Sequence, residues 1–360
     1  MITYEDLPFD VIYHICAVAY GMSVNMDHAM SLVNQHTRTA CIPILFRELI
    51  YTRGYDERMI PWEEFEEGVE LLLKNKSILG AVKSFHFRLW VNFPENYPIP
   101  EAFFRLLYSL PNLSDLAIIP NPEYLPRFKS EFDVVKGNPS QSSSNVLPEI
   151  RHLTIHSPDW LFLGDCTPSL TSLDIELVAM GFHPHMGLTI DVYRLGKSHP
   201  NLTSLHCDEI ARPHVIEEIA ANLPQLRSLG LYANPYGDRY EDFHYLNVYK
   251  QFSYLESLSL PAPGEVVMRS VPYEMAHPNI QKQIRQERRD AVGRLINGIN
   301  TQLLGYKGCT LKEVIIGSRI SFAQSVWENG NDGKLHESKI IHRSWHTWKI
   351  RAVEDVNQSE

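Results

Sequence analysis

The sequence predicts an α/β solenoid of parallel strands with helices on its convex side, preceded by a small three-helix unit. Three observations carry this expectation: a short motif recurs along the chain, amphipathic segments lie between its copies, and the first fifty residues form helices of another kind. The composition agrees. With 360 residues, 44% hydrophobic and 21% charged, the chain is too long for one compact core and too regular for disorder. A formal net charge of −10 supplies no clustered positive charge, so neither nucleic acid nor a membrane is expected as a partner. The five cysteines, Cys16, Cys41, Cys166, Cys207 and Cys309, are scattered and include no C-x-x-C pair. That usage excludes a disulfide framework and a zinc ribbon and points to the cytoplasm or nucleus. The chain opens without the basic stretch of a signal peptide, and the apolar run Val11–Tyr20 is too short to span a bilayer.

In chain order, residues 1–50 come first. Pro8 suits the start of a helix, Asp10 complements its dipole, and Val11, Ile12, Ile15, Cys16, Val18 and Ala19 form a stripe at helical spacing. Asn25 or Asp27 can cap a second short helix through Met30 and Val33. Thr37 can open a third, which Ile42-Pro43 is expected to end, resetting the chain into Ile44–Tyr51. Three short helices bury too little of their own apolar surface, so the unit wants a partner.

Residues 51–350 carry the repeat. Pro-x-Φ-x-x-Leu-x-Φ, with Φ apolar, starts at Pro111, Pro148, Pro168, Pro200 and Pro224, and its strand positions are Leu116/Ile118, Leu153/Ile155, Leu173/Ile175, Leu205/Cys207 and Leu229/Leu231. Chance gives about one such match in a chain of this composition. Copies without the proline follow at Val82-x-x-Phe85-x-Phe87, Leu255-x-x-Leu258-x-Leu260, Leu311-x-x-Val314-x-Ile316 and, weakest, Trp345-x-x-Trp348-x-Ile350. Helices are expected between the strands at Trp62–Asn75, Pro100–Ser109, Thr189–Lys197 and Pro213–Leu223, each with an apolar face. Strand followed by helix, repeatedly, requires parallel strands with right-handed crossovers, which stack into a leucine-rich-repeat solenoid. Loops are expected near 120–147, around the Ser-rich Gly137–Leu147, and near 261–278, before a long helix from Asn279 to about Leu304. The basic cluster Lys282, Arg285, Arg288 and Arg289 on that helix reads first as a solvated face. The Trp345/Trp348 segment can cover the C-terminal end, and 351–360 form a tail.

Alternation sends the residues between the core leucines to the concave face. There His152, His156, Asp174, Glu176, His206, Asp208 and Tyr232 are the candidate substrate-binding residues, in rows Thr154/Asp174/His206/Gly230 and His156/Glu176/Asp208/Tyr232. Such a patch suits a basic or polar peptide, or is a solvated sheet face without a ligand. Neighbouring carboxylates would favour charged histidines. A metal site on the same residues is the remote alternative. No phosphate loop, dinucleotide fingerprint, nucleophile elbow or zinc-protease motif occurs, so no catalytic residue, metal or cofactor is assigned and binding is favoured over chemistry.

Leu7-Pro8-x-Asp10-Val11-Ile12-x-x-Ile15, Leu32-Val33-Asn34-x-x-x-Arg38 and Cys41-Ile42-Pro43-x-Leu45 resemble an F-box. Joined to irregular strand–helix repeats, they resemble the F-box/leucine-rich-repeat proteins of fungi over most of the chain. The resemblance implies a substrate-recognition subunit of an SCF-type ubiquitin ligase. Its F-box would dock on a Skp1-like adaptor of the cullin complex through Leu7, Pro8, Ile12, Ile15, Leu32 and Val33, and its repeats would hold an unidentified target protein. Two alternatives stay open: an interaction scaffold whose N-terminal helices only cap the repeats, and, more remotely, a metal-dependent hydrolase on the His/Asp patch.

Overall fold

The computed structural model describes residues 7–22, 29–53, 61–89, 101–120, 122–136, 147, 149–175, 190–210, 212–233, 243–261, 278–306, 308–317, 323–343 and 348–352. The chain divides into two compact units, Met1–Leu170 and Thr171–Glu360. Both are α/β, and in both a mostly parallel sheet grows by adding one strand after another in chain order.

The first unit begins with helices α1 (Phe9–Met22) and α2 (Gln35–Leu45), and a helical turn at 29–31 lies between them. Asn34 caps α2 by accepting the Thr37 N–H at 2.8 Å and the Thr37 hydroxyl at 2.9 Å. The expected break at Ile42-Pro43 does not occur. Helix α2 continues through Pro43 to Leu45, and the Phe46 N–H reaches the Ile42 carbonyl at 3.0 Å, so the ring is absorbed within the last turn.

Four parallel strands come next: β1 (Glu48–Arg53), β2 (Ser84–Leu89), β3 (Asp115–Pro120) and β4 (His152–Ile155). Helices α3 (Pro61–Leu73) and α4 (Lys76–Ala81) link β1 to β2, and α5 (Glu101–Tyr108) links β2 to β3. The region expected as a loop near 120–147 contains a helix, α6 (Leu125–Lys136); residues 137–146 lie outside the described set. A polar sequence conceals α6, whose Phe128 and Phe132, one turn apart, are both buried. Phe128 packs against Phe103 at 5.2 Å and Trp160 at 5.1 Å between ring centroids, and Phe103 in turn meets Phe87 of β2 at 4.9 Å. This aromatic chain is the core of the unit. From β4 the chain enters two 3-10 turns, Pro158–Phe162 and Gly164–Cys166, because the short interval to the next motif leaves no room for a full helix.

The second unit has five parallel strands, β5 (Ser172–Ile175), β6 (Ser204–Ile210), β7 (Ser228–Ala233), β8 (Ser257–Leu260) and β9 (Glu313–Ile316). Helices α7 (Val192–Ser198) and α8 (Pro213–Asn222) lead into β6 and β7. The two helices approach so closely that a Cβ on Gly196 would sit 2.4 Å from the Asn222 carbonyl oxygen. A 3-10 segment, Phe243–Gln251, precedes β8. The long helix α9 (Pro278–Ile299), extended by a π-helical turn at Asn300–Leu304, precedes β9 and matches the sequence expectation closely. Of its basic cluster, Lys282 and Arg289 are exposed. The sheet then changes character: β10 (Ala323–Asn329), β11 (Leu335–Arg343) and β12 (Trp348–Ala352) are antiparallel. The Trp348 segment is therefore no further copy of the parallel repeat; it is paired antiparallel to β11, and Trp345 lies outside the described residues. No helix among the described residues is long and apolar enough to cross a membrane.

The motif has a definite structural meaning. Its proline is the second residue of a four-residue turn in which the apolar residue two positions on donates its N–H back: Leu113 to Leu110, Leu170 to Thr167, Leu202 to His199, Leu226 to Leu223. The residue after that apolar position then offers one carbonyl to two successive N–H groups of the next strand. Thr203 O accepts from Arg227 and Ser228 at 2.7 and 3.0 Å, and Arg47, Lys83, Ser114, Thr171, Arg227 and Glu256 repeat the arrangement. The strand leucines and their equivalents consequently fall into one row, Leu173↔Leu205↔Leu229↔Leu258↔Val314 in the second unit and Leu49↔Phe85↔Leu116↔Leu153 in the first, all buried except the half-buried Leu49. Leu229→Ala should lower stability by about 2–5 kcal/mol, read as a fall in the urea midpoint at unchanged slope, because its side chain is fully buried.

Candidate functional site

Two surfaces carry the candidate residues: the polar face of the strands and the helical pair at the N-terminus. On the strands, alternation holds at the entry row. In the second unit Ser172, Ser204, Ser228, Ser257 and Glu313 stand side by side, all half-buried. The next row is Asp174↔His206↔Gly230↔Ser259. His206 is anchored at both ring nitrogens, Nε2 to the Ser228 hydroxyl at 2.8 Å and Nδ1 to the Tyr232 hydroxyl at 2.9 Å. It lies over Gly230, where a Cβ would come within 2.6 Å of Nδ1, so the missing side chain makes room for the ring. The second row closes beyond it, since Gly230 and Ser259 are buried. At the edge of the entry row, Glu256 is held by Lys312 at 2.7 Å and Arg227 at 3.0 Å. The Lys312 hydrogen bond above all keeps its carboxyl below the usual range.

Of the residues read from sequence in this unit, Asp174, His206 and Tyr232 are brought together on one face. Glu176 and the side chain of Asp208 lie outside the described residues. The expected pairing of Asp208 with Tyr232 is not the one formed. The register runs Cys207↔Leu231 and then Ile210↔Ala233, so one extra residue of β6 bulges at this point. A bulge has no signature in the spacing of the motif.

In the first unit the corresponding entry row is Glu48↔Ser84↔Asp115↔His152. His152 is exposed, 4.0 Å from the Asp115 carboxylate, and His86 bonds the Ser84 hydroxyl at 2.8 Å with Glu48 at 3.4 Å. Glu48, Ser84, His86 and Asp115 were missed by sequence reasoning. The same alternation applied to β1, β2 and β3 would have found them. The face is not open throughout, because Ala117 and Ile119 of β3 are buried like the core residues Leu116 and Ile118 beside them.

His156 does not belong to the open patch. Strand β4 ends at Ile155, the chain turns at Ser157 into a 3-10 segment, and the imidazole, only 4% exposed, packs beside Trp160 at 5.5 Å between centroids. Burial pushes its pKa down to about 4, against the opposing pull of Asp159, so it is neutral where a charged ligand-binding histidine was expected. Among the described residues no group of three or more His, Cys, Asp or Glu side chains could hold a metal ion.

The helical pair is a different surface. Ile12, Cys16, Ala40 and Cys41 are its fully buried core, with Leu7, Tyr13, Met30, Ile44 and Leu45 packed around them. Ile12 is thus a core residue and not a contact for a partner, because the α1 stripe points it directly at α2. Leu7 is half-buried on this core, while Pro8 and Ile15 are exposed. Leu32 and Val33, in the turn before α2, are 74% and 65% exposed. Arg38 steadies that turn through its Nε, which donates to the Ser31 carbonyl at 3.2 Å. Phe9, Val11, Val18 and Tyr20 are also exposed; Val11 and Val18 belong to the stripe read from sequence, but none of the four was expected as a partner contact. With Ala19 and Thr37, the four core residues are the pair's buried side chains among the described residues, and so small a core leaves a large apolar remainder facing solvent.

Compared with known proteins, the sequence matches no family model and no curated protein.

The buried imidazole gives a pH signature. The unfolded chain takes up a proton near pH 6.5, whereas the native state refuses it until about pH 4, so this contribution is full above pH 6.5 and is lost as pH falls between the two values. The loss reaches at most about 3 kcal/mol. In His156→Leu, the dependence of the urea midpoint on pH across that window should be shallower than in the parent protein.

Proposed function

We propose that this protein is the substrate-recognition subunit of an SCF-type ubiquitin ligase. Its N-terminal helices act as an F-box that docks on a Skp1-like adaptor, and its strand–helix units act as a leucine-rich-repeat solenoid that holds a target. The observation that carries this reading is the exposed apolar set Ile15, Val18, Leu32 and Val33 on a helical pair that, among the described residues, buries only six side chains of its own: Ile12, Cys16, Ala19, Thr37, Ala40 and Cys41. A partner that covers these side chains gains their transfer free energy, and aliphatic side chains at the turn before α2 suit an apolar groove on a helical adaptor.

In the same reading the repeats contribute binding and no chemistry. Asp174, His206 and Tyr232 in the second unit, and Glu48, Asp115 and His152 in the first, offer carboxylates, imidazoles and a phenol for a basic or polar peptide. His206 is presented in fixed orientation by Ser228 and Tyr232, which lowers the ordering cost of contacting it. The protein then works in the cytoplasm or nucleus, where the adaptor and cullin reside.

The test is capture of a Skp1-like adaptor by the tagged full chain from cells. Leu32→Asp combined with Val33→Asp should reduce capture at least about 10-fold, since each aliphatic side chain contributes roughly 1.5–3 kcal/mol when covered. Thermal unfolding should barely change, because neither side chain is buried in the free protein. Undiminished capture by the double variant, or no adaptor with the parent chain, would leave the scaffold reading in its place.

A further inference from the structure

We infer that Cys16 and Cys41 are a redox-modifiable dithiol whose disulfide staples α1 to α2. The two Sγ atoms lie 3.4 Å apart, 25 residues apart in sequence and on different helices, and both side chains are fully buried. A disulfide needs about 2.05 Å between its sulfurs, so the two atoms must approach by about 1.4 Å. Among the described residues of α1 and α2 the pair supplies two of the five fully buried side chains, the others being Ile12, Thr37 and Ala40. Of the other cysteines, Cys166 and Cys207 are buried and Cys309 is exposed.

The oxidant is a low-molecular-weight disulfide, for which glutathione disulfide serves as the probe. One cysteine thiolate attacks a sulfur of glutathione disulfide, forming a mixed disulfide and releasing one glutathione thiolate. The second cysteine thiolate attacks the protein-bound sulfur, forming the Cys16–Cys41 bond and expelling the second glutathione. The protein loses two electrons and two thiol protons, and glutathione disulfide takes up both to become two thiols. Burial makes the first attack wait for α1 and α2 to separate, which so small a core permits well short of global unfolding. A glutathionyl group has no room between the closed helices, whereas the intramolecular bond does, so reclosure drives the second step. The inference rests on the α1–α2 contact alone and is independent of adaptor binding.

The full chain is incubated with glutathione disulfide, quenched in acid, denatured, alkylated with N-ethylmaleimide and digested without reduction. The expected product is a peptide pair joining Cys16 to Cys41, two hydrogens lighter than the reduced pair and reversed by dithiothreitol, while Cys309 carries glutathione. Amide exchange in α2 should slow at least about 10-fold in the oxidised protein, because the cross-link restricts the opened state. In Cys41→Ser, Cys16 should be recovered without a cross-link. The inference is overturned if Cys16 and Cys41 are both recovered as maleimide adducts, or both as glutathione adducts, once Cys309 is fully converted. A bond from Cys16 to any other cysteine in the parent chain overturns it equally.

Discussion

A single carbonyl oxygen just before a strand, taking two successive N–H groups from the next strand along, sets the register on which the parallel strands of each unit depend. It recurs from Arg47 to Glu256, and everything downstream inherits its alignment. In a sheet a slip of one residue would send every leucine to the opposite face, so a repeated lock at the strand entry fixes which side chains are buried. Before Ser114, Thr171, Thr203 and Arg227 the turn that presents this carbonyl is built by proline, whose preset φ and missing N–H suit the second turn position. The recurrent proline and the leucine rows are thus one device.

The same lock creates the polar face. Once the leucines are committed inward, Ser172, Ser204, Ser228 and Ser257 must align on the other side, and the hydroxyls of Ser228 and Ser257 serve larger groups beside them. Ser228 orients His206, and Ser257 donates to Glu313 at 2.8 Å. The helical pair obeys a different constraint. It has no sheet to complete, only a seam between two helices, and that seam is too narrow to cover Ile15, Val18, Leu32 and Val33. A sheet that satisfies its own backbone and a helix pair that leaves apolar surface over divide the work between holding a ligand and joining a partner in the proposed function.

Much of this was legible in the residues. Leu173, Leu205, Leu229 and Leu258 announce their row by spacing alone, and α8 is readable from Pro213 with Ile216, Ile219 and Ala220 on one face. Helix α6 was not, because two buried phenylalanines in a charged segment give too weak a period, and their burial depends on Phe103 and Trp160 from elsewhere. His156 and Ile12 were misplaced for a related reason. The direction of each side chain is decided by a neighbouring element, the 3-10 turn after β4 for His156 and the packing of α2 for Ile12. The bulge in β6, which separates Asp208 from Tyr232 in the register, answers to the neighbouring strand and leaves no mark on the motif.

The sequence by itself determined the unit of construction: a proline turn, a strand of alternating burial and, at most intervals, a helix, because those depend on spacings of two to eight residues that local backbone geometry enforces. Tertiary structure alone decided where the parallel order stops and β10, β11 and β12 turn antiparallel, and which histidines face solvent. It also decided that Cys16 meets Cys41, since such outcomes depend on contacts between residues far apart in the chain, where no local period can record them.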